Sequence, residues 1–220
     1  MDDVRVIWAG EREAHVILPA EHCVAAYRTI RNAAIEDIDE VTPGSNTVQI
    51  RVRDDADHAS VTSRLKSVAS HLSAPAATTR TIDIPACYAP DLAPDIEPIA
   101  RAVGLSPDAA ADLHASAAYT VRLLGFSPGF AYLEGLPHAL HTPRLDTPRP
   151  RVRAGSIGIA GSRTGIYPQS TPGGWRLIGA TPLRLFEPSR DPPALLAPGD
   201  RVRFRRIDRA EFDRLAREHA

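Results

Sequence analysis

The chain has 220 residues, 43 % hydrophobic and 24 % charged, with a formal net charge of −1. That composition suits a soluble globular protein with one large core or two small ones. The balanced charge gives no global field to attract nucleic acid or an anionic membrane. Lys66 is the only lysine, so no Gly-x-x-x-x-Gly-Lys-Ser/Thr phosphate loop can occur.

The start, Met1-Asp2-Asp3-Val4, lacks a basic stretch before an apolar core, so no signal peptide is expected. No apolar run approaches the ~20 residues of a membrane-spanning helix. Both point to a cytoplasmic protein. Cys23 and Cys87 stand outside any Cys-x-x-Cys pair and are expected as reduced, partly buried thiols.

Residues 1–84 mix strand and helix signals. Val4 to Trp8 and His15 to Leu18 are short β-branched runs, and Ala20 to Arg31 carries Val24, Tyr27 and Ile30 at helical spacing. Ile35 to Val41 and Thr47 to Val52 read as strands around the turn Pro43-Gly44-Ser45-Asn46. Asp57 to Leu72 predicts a helix with Val61, Leu65, Val68 and Leu72 on one face. Thr81 to Ile84 would close the unit. This order suggests an α+β sandwich of ferredoxin-like type.

Residues 85–220 form the second expected domain. Ile96, Ile99, Ala100 and Val103 mark a helix ended by Gly104, and Ser106-Pro107 caps another that contains His114. From the strand Tyr119 to Leu124 onward, glycine and proline punctuate short apolar runs. These are Ser156 to Ala160, Trp175 to Ile178, Leu183 to Phe186 and Val202 to Ile207. Twenty prolines are about twice the usual share. They crowd between Pro128 and Pro198, which favours short strands over long helices. Many strands without intervening helices predict a β barrel or sandwich. Arg209 to His219 is a charged amphipathic helix.

Three segments carry candidate chemistry. Gly125-Phe126-Ser127-Pro128-Gly129-Phe130 is either a rigid loop placing Phe126, Phe130 or Tyr132 against a ligand, or a tight turn pinned by buried aromatics. Gly155-Ser156-Ile157-Gly158-Ile159-Ala160-Gly161 matches neither a dinucleotide fingerprint nor a nucleophile elbow. It is a closely packed strand, or its backbone N–H groups hold a carboxylate or phosphate oxygen. Tyr167 through Gln169, Gly173 and Gly174 to Trp175 forms a polar loop with a large aromatic anchor. Arg144, Arg149, Arg151 and Arg153 lie close together. A bidentate guanidinium suits a carboxylate, and a solvated charge run is the plainer reading. His114 is the candidate general acid–base because imidazole titrates near neutrality. His138 and His141 have no evident third ligand, so no metal site is expected.

In order and spacing, these segments resemble the signature of the 5-oxoprolinase B subunit family, also called allophanate hydrolase subunit 1 or KipI. The resemblance spans about a hundred residues. It implies a ferredoxin-like first domain and a cyclophilin-like β barrel. It also implies a chain that works with the C and A subunits of 5-oxoprolinase to hydrolyse 5-oxoproline to glutamate with ATP, and with Mg. The ATP site would lie in a partner or at a shared interface, and the chain alone would be inactive. The implied substrate-binding residues are Phe126, Gly129, Phe130, Tyr132, Arg144, Arg149, Gly155, Ser156, Tyr167, Gln169, Gly173, Gly174 and Trp175, with His114 catalytic. Ala180 stands where many relatives have Arg, and Arg153 where many have Pro. KipI-type relatives inhibit a sensor histidine kinase, and an allophanate or urea amidolyase role is a further alternative.

Overall fold

The computed structural model describes residues 4–70 and 80–218. The chain divides into two compact units, residues 1–78 and 79–220. The Leu72 end of the second expected helix, and the last residues of the tail, lie outside the described residues.

In the first unit, β1 (Arg5–Trp8), β2 (Glu13–Ile17), β3 (Ile38–Pro43) and β4 (Thr47–Val52) form an antiparallel sheet in the order β1-β2-β4-β3. Alternation selects one face. Ala14 and Val16 on β2, and Val48, Ile50 and Val52 on β4, are fully buried. Against that face pack α1 (Cys23–Asn32) and α2 (His58–Ser70). Cys23, Ala26, Tyr27 and Ile30 of α1 and Val61 and Leu65 of α2 supply the helical stripes.

The second unit is a closed barrel of seven strands in the order β10-β7-β6-β13-β5-β12-β9. The strands are β5 (Thr81–Cys87), β6 (Ala118–Leu124), β7 (Ala131–Glu134), β9 (Ser156–Ala160), β10 (Arg163–Ile166), β12 (Arg176–Ala180) and β13 (Arg201–Ile207). The remaining pair, β8 (Arg149–Val152) and β11 (Thr171–Gly173), makes a separate two-stranded ribbon. The chain is thus mixed α+β with a closed barrel.

The barrel overturns one expectation. Thr81 to Ile84 does not close the first sheet. It begins β5, which pairs in parallel with β13 from Thr81↔Arg201 to Cys87↔Ile207 and meets β12 antiparallel at Cys87↔Ala180. Arg203 reaches across to Asp83 through two hydrogen bonds of 2.8 and 3.1 Å, fixing that register. A strand signal reports an extended segment and its buried face, and says nothing of the sheet it joins. A second expectation also fails. Leu183 to Phe186 makes only an isolated bridge, Phe186 to Ala194, because the prolines around it remove ladder donors.

Two helices pack against the barrel core. In α3 (Ile96–Ala102), Gly104 sits at φ 71°, with its N–H on Arg101 O and the Leu105 N–H on Ala100 O. That is a Schellman stop. In α4 (Pro107–Ser116), the Ser106 hydroxyl accepts from the Ala109 N–H at 3.1 Å. Such a cap contributes about 1 kcal/mol. The charged tail forms α5 (Arg209–Glu218).

Candidate functional site

The signature residues converge on the outer face of the barrel. Along β7, β9 and β10, Leu133, Ile157, Ile159 and Ile166 point into the barrel core, leaving Tyr132, Gly158, Ala160 and Gly165 on the opposite face. On that face a second apolar layer forms from Phe130, Val152, Ala160, Tyr167, Trp175 and Leu177, flanked by Tyr132. Its rings meet edge to face. Phe130 lies 4.9 Å from Tyr132, 5.2 Å from Tyr167 and 5.5 Å from Trp175, centroid to centroid.

Glycine makes this layer possible. A methyl group at Gly165 would lie 3.0 Å from Phe130 Cζ and 3.1 Å from Trp175 Cζ3. One at Gly173 would collide with the Tyr167 hydroxyl. The motif glycines are therefore seats for aromatic rings on a strand surface. Gly155, at φ 81° and hard against Thr181 O, has a different reason for lacking a side chain.

This packing places several of the expected residues inside the protein's own contacts. Phe130, Tyr167 and Trp175 are buried, so their faces already serve the protein. The Gly155 and Ser156 backbone N–H groups do not await an anion. Gly155 donates to Tyr167 O at 2.7 Å and Ser156 to Arg153 O at 3.2 Å, and β9 is laddered on both sides. Arg149 is also engaged: its Nη2 bonds both oxygens of Asp95 at 2.7 and 2.9 Å, and Nη1 donates to Trp175 O. Sequence reasoning missed Asp95 because it reads as an ordinary helix cap.

Other expected residues remain accessible at the rim. Phe126 is 62 % exposed and held at φ 68°, a left-handed conformation uncommon for a bulky side chain. Its ring stands 5.4 Å from Phe130 and 6.3 Å from Tyr167. Gly129 secures the loop at φ 81°, where a methyl group would lie 2.6 Å from Phe186 Cβ. The Ser127 hydroxyl is buried with no hydrogen-bond partner among the described residues. Tyr132 is half-buried beneath the Arg163 guanidinium, 5.9 Å from its ring centre. Arg144 is exposed and makes no hydrogen bond or ion pair among the described residues. It is near enough to act on the Tyr167 phenol. Burial pushes that phenol up from its ordinary pKa, while the Trp175 backbone and Arg144 pull the other way. Gln169 is exposed on the loop before β11, and Gly174 there has room for a side chain. Ala180 is buried at the end of β12 beside Ser156, whereas Arg153 is exposed.

His114 lies elsewhere, inside the barrel. It is fully buried, with Nδ1 2.8 Å from the Tyr88 hydroxyl and Nε2 3.0 Å from Thr164 Oγ1. Thr164 donates to Gly158 O, so it accepts from Nε2–H, and Nδ1 accepts from Tyr88. Burial lowers the imidazole pKa to about 3. The residue expected to move a proton is thus placed in the core, away from the outer face. Both nitrogens are hydrogen-bonded, and these bonds tie α4 to the barrel wall. His138 and His141 face each other at 4.9 Å, and His141 Nε2 bonds Leu136 O. Among the described residues no cluster of three His, Cys, Asp or Glu could hold a metal ion. Nor is any helix there long and apolar enough to cross a membrane.

Comparison with known proteins agrees with the signature. Residues 6–196 match the family described as carboxyltransferase domain, subdomain C and D. The chain is 49 % identical over 133 residues to the 5-oxoprolinase B subunit of Bacillus subtilis, covering 60 % of this chain and 55 % of that protein. It is 46 % identical over 166 residues to the 5-oxoprolinase B subunit of Escherichia coli, covering 75 % of this chain and 76 % of that one. The matched stretch thus spans about half of the Bacillus protein. Among solved structures, TTHA0988 aligns with a TM-score of 0.78 and 31 % identity, over 89 % of this chain and 40 % of that chain. The uncharacterized protein PH0987 from Pyrococcus horikoshii aligns at 0.60 and 36 %, over 94 % and 100 %.

Proposed function

The chain belongs to the carboxyltransferase-domain C and D family and, within it, groups with the B subunits of 5-oxoprolinase, and from that premise we propose that it is the B subunit of an ATP-dependent 5-oxoprolinase. The likeness to such B subunits over three-quarters of the chain carries this reading. A match to the urea amidolyase of Lachancea kluyveri covers only 6 % of that protein, which favours the oxoprolinase role over an allophanate one.

In this proposal the outer-face rim is where 5-oxoproline, or the partner loop that encloses it, meets this chain. Arg144 would hold the carboxylate, since its guanidinium has no protein partner to leave among the described residues. Phe126 and Tyr132 would cover the ring and exclude water. A lactam amide is a poor electrophile, and ATP would activate its oxygen for attack by water. We assign ATP and Mg to the C or A partner, because this sequence has no phosphate loop and the β9 backbone donors are engaged in ladders. On its own this chain would be inactive.

The test is co-purification with the C-type homologue, then 5-oxoproline-dependent ATP hydrolysis once the A-type partner is added. Glutamate release by the complex, and none by this chain alone, is the expected result. No complex would reject the proposal and favour a regulatory binding module of the histidine-kinase-inhibitor kind.

A further inference from the structure

We propose that Asp95 is the positioning residue of the outer-face site. It stands at the N-cap position of α3, yet its side chain makes no capping hydrogen bond. A carboxylate there would ordinarily take the free N–H groups of the first turn. Asp95 turns away and accepts three other hydrogen bonds. Two are the bonds from Arg149 Nη2, and the third is from the Leu177 N–H, which reaches Oδ2 at 2.6 Å. The Asp95 N–H returns a bond to Leu177 O at 3.0 Å.

These bonds bracket Trp175 on both sides. Leu177 follows it by two residues, at the register shift of β12 against β9. Arg149 donates to the Trp175 carbonyl and pairs with Gly173 across the ribbon. One carboxylate, 8 % exposed, thus joins the start of α3, the first residue of β8 and the turn that seats Trp175. Trp175 and Gly173 in turn fix Tyr167, and the Tyr167 ring faces Phe126. With Arg149 engaged in this pair, Arg144 remains an exposed cation acting on the Tyr167 phenol. Asp95 therefore touches no substrate in this scheme. It sets the position of the residues that do.

This inference rests on the oxoprolinase reading only in its kinetic arm. The test uses the full chain with Trp8→Phe, which leaves Trp175 as the single tryptophan. Asp95→Asn should raise acrylamide quenching of Trp175. In the reconstituted complex it should raise KM for 5-oxoproline about fivefold while kcat changes less than about twofold. Arg149→Met should give the same pattern, and the double variant should be no worse than either single one. A lower unfolding temperature with unchanged quenching and unchanged KM would overturn the proposal, leaving Asp95 a structural anchor. If the wild-type complex does not turn over 5-oxoproline, the functional reading fails and Trp175 quenching alone decides Asp95. If Asp95→Asn does not fold, Arg149→Met removes the other half of the pair and supplies the same two readouts.

Discussion

The Tyr88 hydroxyl donates to Nδ1 of a fully buried His114 at 2.8 Å, while Nε2 is taken by Thr164 at 3.0 Å. A polar thread therefore crosses an otherwise apolar barrel from the end of β5 to β10. Each member is satisfied, which is the condition for such a network to be tolerated in a low-dielectric interior.

The thread predicts acid sensitivity. The pKa of His114 is about 3 in the folded chain, against an ordinary value near 6.5. The unfolded chain therefore binds a proton that the folded one refuses. Stability is fully present above the ordinary value and falls as pH drops towards about 3, by ~1.4 kcal/mol per pH unit. Urea unfolding between pH 7 and pH 4 measures that slope, and His114→Gln should flatten it. An equal slope in the variant would mean that other groups cause the acid sensitivity.

The ring seats predict a contrast between neighbouring glycines. Gly165→Ala should cost about 1–3 kcal/mol by overpacking against Phe130 and Trp175. Gly174→Ala, whose nearest neighbour would be 3.6 Å away, should cost much less. Thermal unfolding of the two variants side by side checks this, and equal losses would contradict the seating role.

Substitution of Phe126 should separate stability from turnover. Relieving its left-handed backbone by Phe126→Gly should regain about 1 kcal/mol, offset by a similar loss of edge-to-face contact. The unfolding temperature should then stay nearly constant while 5-oxoproline turnover by the complex drops. Unchanged turnover would make the exposed ring irrelevant to the reaction.

The two motif arginines should differ in their effect on stability. Arg144→Ala should leave stability intact and raise KM for 5-oxoproline roughly tenfold or more, the loss expected for a charge-assisted hydrogen bond. Arg149→Ala should cost about 3 kcal/mol of stability, because it strands the Asp95 carboxylate in a nearly buried position. Unfolding free energies and KM values for both variants test the assignment. A stable Arg149→Ala protein would refute it.

The sequence by itself determined many of the local elements and the family. Side-chain periodicity marked β4 and both helices of the first unit. The Ser106-Pro107 and Gly104 signals placed the limits of α3 and α4. Motif order identified the signature loops, since those depend on short-range backbone geometry that glycine and proline encode directly. Only the tertiary structure decided which sheet Thr81 to Cys87 joins, because its partner strand lies 120 residues away. Only it showed that His114 is sealed inside the barrel and that Arg149 is spent on Asp95. Residue type states what a side chain could do in water. Burial and partners, set by contacts distant in sequence, decide what remains available to a ligand.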